Sequence, residues 1–223
     1  MVELLAVFGD DLTVTNVARV SYGKTKDVID DKDERLINFL VNHKHTSPFR
    51  HPQLQFRITC PIYVERQLRK HEIGMELGLP PEPNSSINSI SGRYVDFSDS
   101  YTTIKEWRKQ STSSKQGSEG VLSEAGQQRA SEIEEHVIRI AKNYYQDLIE
   151  LGVSKEQART ILPLNLNTTF IWTGSLLSFL HLFNLRLKKD TQAETREVAD
   201  LLLKEVVKSG KFNLSLKAFG FTD

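Results

Sequence analysis

One helical pattern, between residues 123 and 151, constrains the fold more than any other feature of the sequence. Its apolar residues recur every three or four positions: Ala130, Ile133, Val137, Ile140, Tyr144, Leu148 and Leu151. This period places apolar side chains along one side of an α-helix. The pattern therefore predicts a long amphipathic helix over residues 123–151, which Gly152 ends.

Strand patterns occur in the first third of the chain. Residues 54–60 alternate apolar and polar side chains, which predicts a half-buried strand. Residues 2–8 form a short apolar run that Gly9-Asp10-Asp11 ends, which predicts a buried strand followed by a turn. Residues 91–95 are interpreted as extended structure.

Further helices are predicted on both sides of these strands. They cover residues 33–43, residues 62–72 after Pro61, a short segment between Ser154 and Pro163, residues 166–187 and residues 194–209. Residues 98–120, rich in Ser, Thr, Lys and Gln, predict a mobile surface loop with Trp107 as its aromatic anchor. Early strands and late helices together predict a single α+β domain over residues 1–223.

Charge and composition exclude several classes of protein. Lys and Arg total 29 and Asp and Glu total 29, so a nonspecific nucleic-acid binder is not expected. The one cysteine, Cys60, cannot form an intrachain disulfide and fits a reducing cytoplasm. Residues 1–9 do not look like a signal peptide, and residues 170–183 are too short and too polar to span a membrane. We therefore expect a cytoplasmic protein without membrane or nucleic-acid partners.

Several common active-site motifs are absent from the sequence. It contains neither a Gly-x-Gly-x-x-Gly fingerprint after a strand nor a P-loop. His43, His45 and His51 have no Cys or carboxylate to complete a metal site, so no metal is expected. Cys60 shares the apolar face of its strand, which favours an inert core thiol over a nucleophile.

A basic segment precedes a polar turn. Arg66, Arg69 and Lys70 would share one face of a helix, a pattern usually typical of a solvated surface. After Pro80-Pro81-Glu82-Pro83, residues 86–94 add hydroxyls, an amide and another arginine. Such groups suit a nucleotide phosphate and a pyrimidine edge.

The same two segments resemble the signature of flavin-dependent thymidylate synthases. The matching residues are Gln67, the triplet Lys70-His71-Glu72, and Ser86-x-Asn88-x-x-Ser91-x-Arg93-Tyr94. Other stretches follow the family's order and extend the resemblance over almost the whole chain: Ala18 to Ser21, Thr46 to His51, Trp107 to Gln110, Lys115 to Ser118, Ala158 to Pro163, Trp172 to Leu176, Asn184 to Arg186 and Gln192 to Arg196.

Three departures distinguish this chain from the family pattern. The triplet is Lys-His-Glu where the family has Arg-His-Arg, so one guanidinium fork is lost and one charge is reversed. Ser89 stands where the family often has Glu. Residues 74–85 form an apparent insertion before the serine motif.

The resemblance implies an α+β fold with a mostly antiparallel sheet packed against several long helices. It implies reductive methylation of dUMP to dTMP, with methylenetetrahydrofolate as carbon donor and NADPH-reduced FAD as hydride source. It also implies a homotetramer with active sites shared between subunits. The lack of an accessible thiol suits this family, because ordinary thymidylate synthases attack the uracil ring with a cysteine.

The resemblance also assigns residues to roles. Arg186 corresponds to the catalytic arginine that activates the uracil by favouring ionisation at N3. The dUMP site would comprise Gln67, Lys70, Ser89, Ser91, Gly92, Arg93 and Arg159. The FAD site would comprise Ser21, His51, Gln53, Lys70, His71, Glu72, Ser175 and His181.

Other interpretations remain open from the sequence. Without the resemblance, Arg186 would be interpreted as a helix C-cap, Arg159 as a surface residue and His51 as structural. A noncatalytic nucleotide- or RNA-binding oligomer derived from the family is the alternative function. A purely structural helical assembly protein is a third hypothesis.

Overall fold

A four-stranded antiparallel sheet forms the centre of the fold. The computed structural model describes residues 1–71, 87–96, 99–112 and 117–222. In chain order the strands of this part are β1 (Val2–Phe8), β2 (Gln53–Pro61), β3 (Ile87–Ser89), β4 (Arg108–Gln110), β5 (Ser118–Val121) and β6 (Asn167–Ser175). The central sheet has the order β1-β2-β6-β3, and β4 pairs with β5 in a separate hairpin.

Helices surround the sheet and complete the predicted α+β class. In chain order the α-helices of the described residues are α1 (Asp11–Arg19), α2 (Asp31–Asn42), α3 (Ile62–Leu68), α4 (Glu124–Glu150), α5 (Lys155–Ala158), α6 (Leu176–Arg186), α7 (Ala193–Ser209) and α8 (Asn213–Ala218). Short 3₁₀ segments lie at Val20–Tyr22, Ser47–Arg50 and Arg159–Ile161. In the described part of the chain, every helix is too short or too polar to cross a bilayer.

The alternation predicted for residues 54–60 is confirmed in β2. Its apolar residues are buried on one side of the sheet, and β6 places Trp172 opposite Phe56 and Phe170 opposite Ile58. Cys60 is 2% exposed, and burial raises the pKa of its thiol to about 12. The prediction of an inert core cysteine is therefore confirmed.

The strand predicted at residues 2–8 exists, but it is not buried. β1 is an edge strand that pairs only with β2 among the described strands, and Phe8 at its end is 67% exposed. Apolar composition alone indicated burial, whereas the position at the sheet edge leaves one side of the strand open. The predicted turn follows directly, with Gly9 at a positive φ and Asp10 as the N-cap of α1.

The helix predicted over residues 166–187 is wrong in its first half. Residues Asn167–Ser175 form β6, and α6 begins only at Leu176. The stretch is apolar in both the helical and the strand period, so local pattern could not decide between them. Pairing with β2 along the whole of β6 stabilises the strand, and the Ser175 hydroxyl, which accepts a hydrogen bond from the Ser178 backbone N–H, starts the helix.

The basic helix is shorter than predicted. α3 ends at Leu68, so Arg69 and Lys70 lie beyond it and do not continue the face that carries Arg66. Glu72 and the predicted insertion at 74–85 lie outside the described residues. The extended segment predicted at residues 91–95 is also wrong, because Ser91 starts a turn. Its carbonyl oxygen accepts hydrogen bonds from the backbone N–H groups of Tyr94 and Val95.

The segment 98–120 contains regular structure that its polar composition does not indicate. β4 and β5 form an antiparallel pair there, while residues 97–98 and 113–116 lie outside the described part. The Glu119 carboxylate accepts hydrogen bonds from Ser111 and from the backbone N–H and hydroxyl of Thr112. These side-chain bonds close the hairpin without a hydrophobic pattern, so a loop was the wrong prediction for its two strands.

The long helix is confirmed in α4, with Ser123 as its N-cap. Its apolar stripe, however, faces away from the core: Ile133 is 50% exposed, Val137 48% and Tyr144 60%. The helices predicted over residues 33–43 and 194–209 are likewise confirmed by α2 and α7, to within two residues.

Candidate active site

Two helices, α3 and α6, bring several of the predicted site residues together. β2 and β6 are antiparallel neighbours, so their carboxyl ends lie at opposite ends of the sheet. α3 follows β2 directly, and α6 follows β6 directly. Both helices pack against the sheet, and their C-terminal ends meet where Arg186 of α6 contacts Gln67 of α3.

Arg186 is held by two acceptors from the α3 segment. Its Nε donates to His71 Nε2 at 2.8 Å, and its Nη2 donates to the Gln67 carbonyl oxygen at 3.1 Å. The Gln67 side chain in turn donates to Gln192 Oε1 at 2.6 Å, just before α7. With these partners occupied, Nη1 makes no hydrogen bond to the described residues, so it can bind a ligand acceptor.

His71 is neutral in this arrangement. It is 7% exposed, and burial, the Arg186 guanidinium and His181 together lower its pKa to about 4. A guanidinium nitrogen can only donate, so Nε2 of His71 must accept and the ring proton must lie on Nδ1. A neutral His71 orients Arg186 without placing a second positive charge beside it.

The neutrality of His71 can be tested. The unfolded chain binds a proton at this ring below about pH 6.5, whereas the folded chain does so only below about pH 4. The unfolded state therefore binds more protons between these values, and roughly 3 kcal/mol of stability should be lost as the pH falls from 6.5 to 4. In ¹⁵N NMR spectra of histidine-labelled protein, we expect the His71 ring to stay neutral at pH 5.5.

The variant His71→Gln assigns the resonance and serves as the control. Glutamine keeps an acceptor for Arg186 but does not titrate, so its unfolding free energy should depend less on pH in this range. A His71 ring that is protonated at pH 5.5 in the folded protein would contradict the expectation.

Ser89, at the end of β3, is connected to the same segment. It lies opposite Phe170 in the sheet register, so its side chain points to the face that α3 covers. Its hydroxyl accepts a hydrogen bond from Arg69 Nη2 at 2.6 Å, and Arg69 forms an ion pair with Glu65 one turn earlier in α3. The Arg69 guanidinium therefore lies directly beside the motif residue Ser89.

The turn after β3 carries the remaining motif residues. The Ser91 hydroxyl accepts hydrogen bonds from the backbone N–H of Arg93 at 3.3 Å and from its Nε at 3.4 Å. Gly92 is buried, and the Arg93 guanidinium lies over the Tyr94 ring at 5.2 Å. Arg93 itself is exposed, which leaves its charge open to an anionic ligand.

A second group of predicted residues lies at the end of the sheet where α6 begins. Gln53 is paired with Ser175 in the register, and its amide donates to the Arg50 carbonyl at 2.8 Å. His51, beside it, is exposed, whereas Ser175 is fully buried and caps α6. His181 lies further along α6. It links these residues to the group around Arg186, because its electrostatic interaction with His71 contributes to the lowered pKa of that ring.

Ser21 and Arg159 lie elsewhere in this chain. Ser21 is exposed in the 3₁₀ segment after α1, where its hydroxyl donates to the Ala18 carbonyl. Arg159 is exposed in the 3₁₀ segment that packs against α4. The structure therefore brings together Gln67, His71 and Arg186, places Ser89 nearby on the same face, and leaves Ser21 and Arg159 in other parts of the surface.

Two site neighbours were not predicted as site residues. Glu65 is 8% exposed and buries its carboxylate against Arg69, and Gln192 binds Gln67. The spacing of Glu65 and Arg69, four residues apart in the helix predicted over residues 62–72, is the sequence signal that could have indicated their pairing. No sequence signal joins Gln67 to Gln192, because 125 residues separate them.

Known proteins resemble this chain over most of its length. Residues 3–209 match the family described as thymidylate synthase complementing protein. A flavin-dependent thymidylate synthase of Thermus thermophilus is 38% identical over 208 residues, which cover 93% of this chain and 71% of that relative. One from Kosmotoga olearia is 34% identical over 218 residues, which cover 98% of this chain and 89% of that relative.

A solved structure shares the fold. The UMP/dUMP methylase PolB from Streptomyces cacaoi, bound with 5-Br dUMP, matches with a TM-score of 0.83 at 22% identity over 100% of this chain and 95% of that one. The family match over residues 3–209 and the two identities above 30% establish that the chain belongs to the flavin-dependent thymidylate synthase family.

Proposed function

We propose that this protein converts dUMP to dTMP by reductive methylation, with methylenetetrahydrofolate as carbon donor and NADPH-reduced FAD as the source of hydride. Family membership supports the reaction class. The observation that carries the proposal is the Arg186 guanidinium, which neutral His71 and the Gln67 carbonyl hold with one nitrogen left for a ligand.

Arg186 suits the activation of a pyrimidine. A permanent cation beside the uracil N3 and its carbonyl oxygen stabilises the negative charge that develops when the ring reacts. Because His71 is neutral, it adds no second positive charge beside the Arg186 guanidinium. Its hydrogen bond holds that guanidinium in place. Arg186 is therefore the proposed catalytic residue.

The proposed dUMP site surrounds this arginine. Ser91 and Arg93 offer a hydroxyl and a guanidinium, and Gly92 between them is buried. Exposed Lys70 adds positive charge for the phosphate. The full proposed set is Gln67, Lys70, Ser89, Ser91, Gly92, Arg93 and Arg159.

The residues proposed for the flavin fit such a group chemically. His51 is exposed and Gln53 partly so, and they offer an imidazole and an amide for hydrogen bonds, while Lys70 offers charge to a pyrophosphate. Bound FAD, once reduced, would supply the hydride. The full proposed set is Ser21, His51, Gln53, Lys70, His71, Glu72, Ser175 and His181. The buried Ser175 hydroxyl, which caps α6, favours a positioning role over direct contact.

The site needs no thiol from this chain. Cys60 is the only cysteine, and it is buried with a pKa raised to about 12. A thiolate at this position is therefore not available to attack the uracil ring. This supports a route without an enzyme cysteine.

We further propose that the protein is a homotetramer with shared sites. The exposed stripe of α4 continues into an apolar groove lined by Trp107, Val137, Pro163 and Leu164, among others. An apolar surface of this kind is typical of a protein interface. Arg159 lies in the segment packed against α4, so contact through α4 would bring it towards a neighbouring subunit's site.

Release of tritium from dUMP labelled at C5 tests the proposed reaction. The purified protein is incubated with methylenetetrahydrofolate and NADPH, with and without added FAD. We expect release that depends on FAD and formation of dTMP. Binding of dUMP without release, from protein shown to be folded, would reject the synthase and favour a noncatalytic nucleotide-binding relative.

A further inference from the structure

The β4–β5 hairpin is fixed at its base to two helices. The Trp107 backbone N–H donates to Gln127 Oε1 at 2.8 Å, and the Trp107 indole donates to Ser131 Oγ at 3.1 Å, both on α4. The next residue, Arg108, donates through Nη2 to both carboxylate oxygens of Glu194, at 2.7 and 3.0 Å. Glu194 lies in the first turn of α7, so the hairpin joins α4 to the start of α7.

The ion pair of Arg108 and Glu194 is mostly withdrawn from water, since their side chains are 25% and 15% exposed. Burial alone would raise the pKa of the Glu194 carboxyl. Hydrogen bonds from Arg108, from its own backbone N–H and from the Gln192 side chain instead lower that pKa below its usual value. Glu194 is therefore ionised at neutral pH, and an ionised carboxylate can only accept hydrogen bonds.

The ionised carboxylate fixes the direction of the hydrogen bonds that follow it. Gln192 can donate to Glu194 only through its amide nitrogen, which leaves Oε1 of the same amide for another partner. That oxygen accepts from Gln67 Nε2 at 2.6 Å. Gln67 thereby uses its own amide nitrogen. Its Oε1, which makes no hydrogen bond to the described residues, is left as an acceptor.

Gln67 is the point where these contacts reach the candidate site. Its backbone carbonyl holds Arg186 at 3.1 Å, and its side chain belongs to the proposed dUMP site. A free glutamine amide can present either its oxygen or its nitrogen to a ligand, because it carries an acceptor at one end and donors at the other. A fixed amide presents only one end and loses less conformational freedom when the ligand binds.

We propose that Glu194 is a positioning residue, which orients the Gln67 amide through Gln192 so that its oxygen faces the pyrimidine nucleotide. Arg108 anchors Glu194 in this arrangement. The proposal deepens the proposed function and rests on it. The hairpin segment from Trp107 to Gln110, which contains no predicted site residue, thereby supports the site from outside it.

Isothermal titration calorimetry of dUMP with the full-length protein tests this role. Glu194→Gln keeps the size of the side chain but lets either end of its amide face Gln192, so dUMP binding should weaken by about 3- to 10-fold, the loss of one hydrogen bond. Gln192→Met, which leaves the ion pair in place, should weaken binding by a similar factor. Gln67→Met alone should do the same, which keeps the double variants measurable. In the Gln67→Met background, neither change should weaken binding further, because the group that they orient is gone.

Glu197→Gln is the matched control. Glu197 lies three residues further along α7 and pairs with Lys105, just before β4, at 3.7 Å, but both side chains are exposed. This variant makes the same chemical change at the same helix and should leave dUMP affinity unchanged in both backgrounds.

The outcomes separate the positioning role from the proposed reaction. Unchanged affinity in Glu194→Gln, or a loss as large in the Gln67→Met background as in the wild type, would overturn the positioning role and leave the proposed reaction intact. Non-additive losses in dUMP binding without tritium release would support the positioning role and reject the synthase. Wild-type protein that binds no dUMP would reject both.

Discussion

Replacing Arg186 by glutamine is expected to lower kcat for dTMP formation by about 10²- to 10³-fold, a loss typical of removing one charged donor from a developing anion. The change removes the permanent positive charge beside the pyrimidine while keeping a side chain of similar polarity. The KM for dUMP should change much less, because the proposed phosphate contacts lie elsewhere. Steady-state tritium release at saturating dUMP measures both constants.

Two further variants sharpen this experiment. Arg186→Lys keeps the charge, but one ammonium cannot reproduce the planar fork that contacts His71, Gln67 and a ligand together, so its kcat should fall between those of wild type and Arg186→Gln. Arg57→Gln, the exposed arginine on the other sheet face, should keep the wild-type rate. A higher KM with unchanged kcat in Arg186→Gln would show that Arg186 only binds dUMP.

Charge on the apolar stripe of α4 is expected to abolish both assembly and activity. In Val137→Glu with Ile140→Glu, two carboxylates would enter the centre of the proposed interface, where each unpaired charge costs several kcal/mol. The isolated chain should still fold, because both side chains are exposed in it. Analytical ultracentrifugation should show the loss of the tetramer, and tritium release should fall to background.

The control keeps the change on the same helix but off the stripe. Gln128→Glu adds a negative charge to an exposed position of α4 and should leave the tetramer and its rate intact. Coexpression of Arg186→Gln with Arg159→Gln tests whether sites are shared, since mixed oligomers would contain some sites in which both arginines are present. No recovery of activity in mixed oligomers would contradict sharing between these two residues.

Periodicity was sufficient where local packing decides the structure. α4, α2 and α7 each have one apolar side, and β2 alternates throughout, so their extents could be predicted to within about two residues. The inert state of Cys60 followed from the same alternation, because burial on the strand's apolar face disfavours the thiolate.

Local pattern failed where pairing or capping decides the structure. The segment that forms β6 and the start of α6 is apolar in both periods, and only the β2 neighbour selects the strand. α3 stops at Leu68 although Arg69 and Lys70 favour helix, and Ser91 to Tyr94 form a turn closed by a backbone hydrogen bond. For β6 the decisive partner is β2, which is distant in the chain, so no local window of sequence contains it.

By itself, the sequence determined the family, the α+β class and the identity of the residues proposed for the site, because motifs preserve the types of side chain that the chemistry requires. Only the tertiary structure decided how those side chains act on one another. Arg186 and His71 are 115 residues apart, and the burial that makes His71 neutral exists only after α3 and α6 meet over the sheet. Arg69 likewise contacts Ser89 only because β3 carries the Ser89 hydroxyl to within 2.6 Å of the Arg69 guanidinium. Hydrogen bonds and desolvation depend on distances in space, which antiparallel pairing and helix packing set.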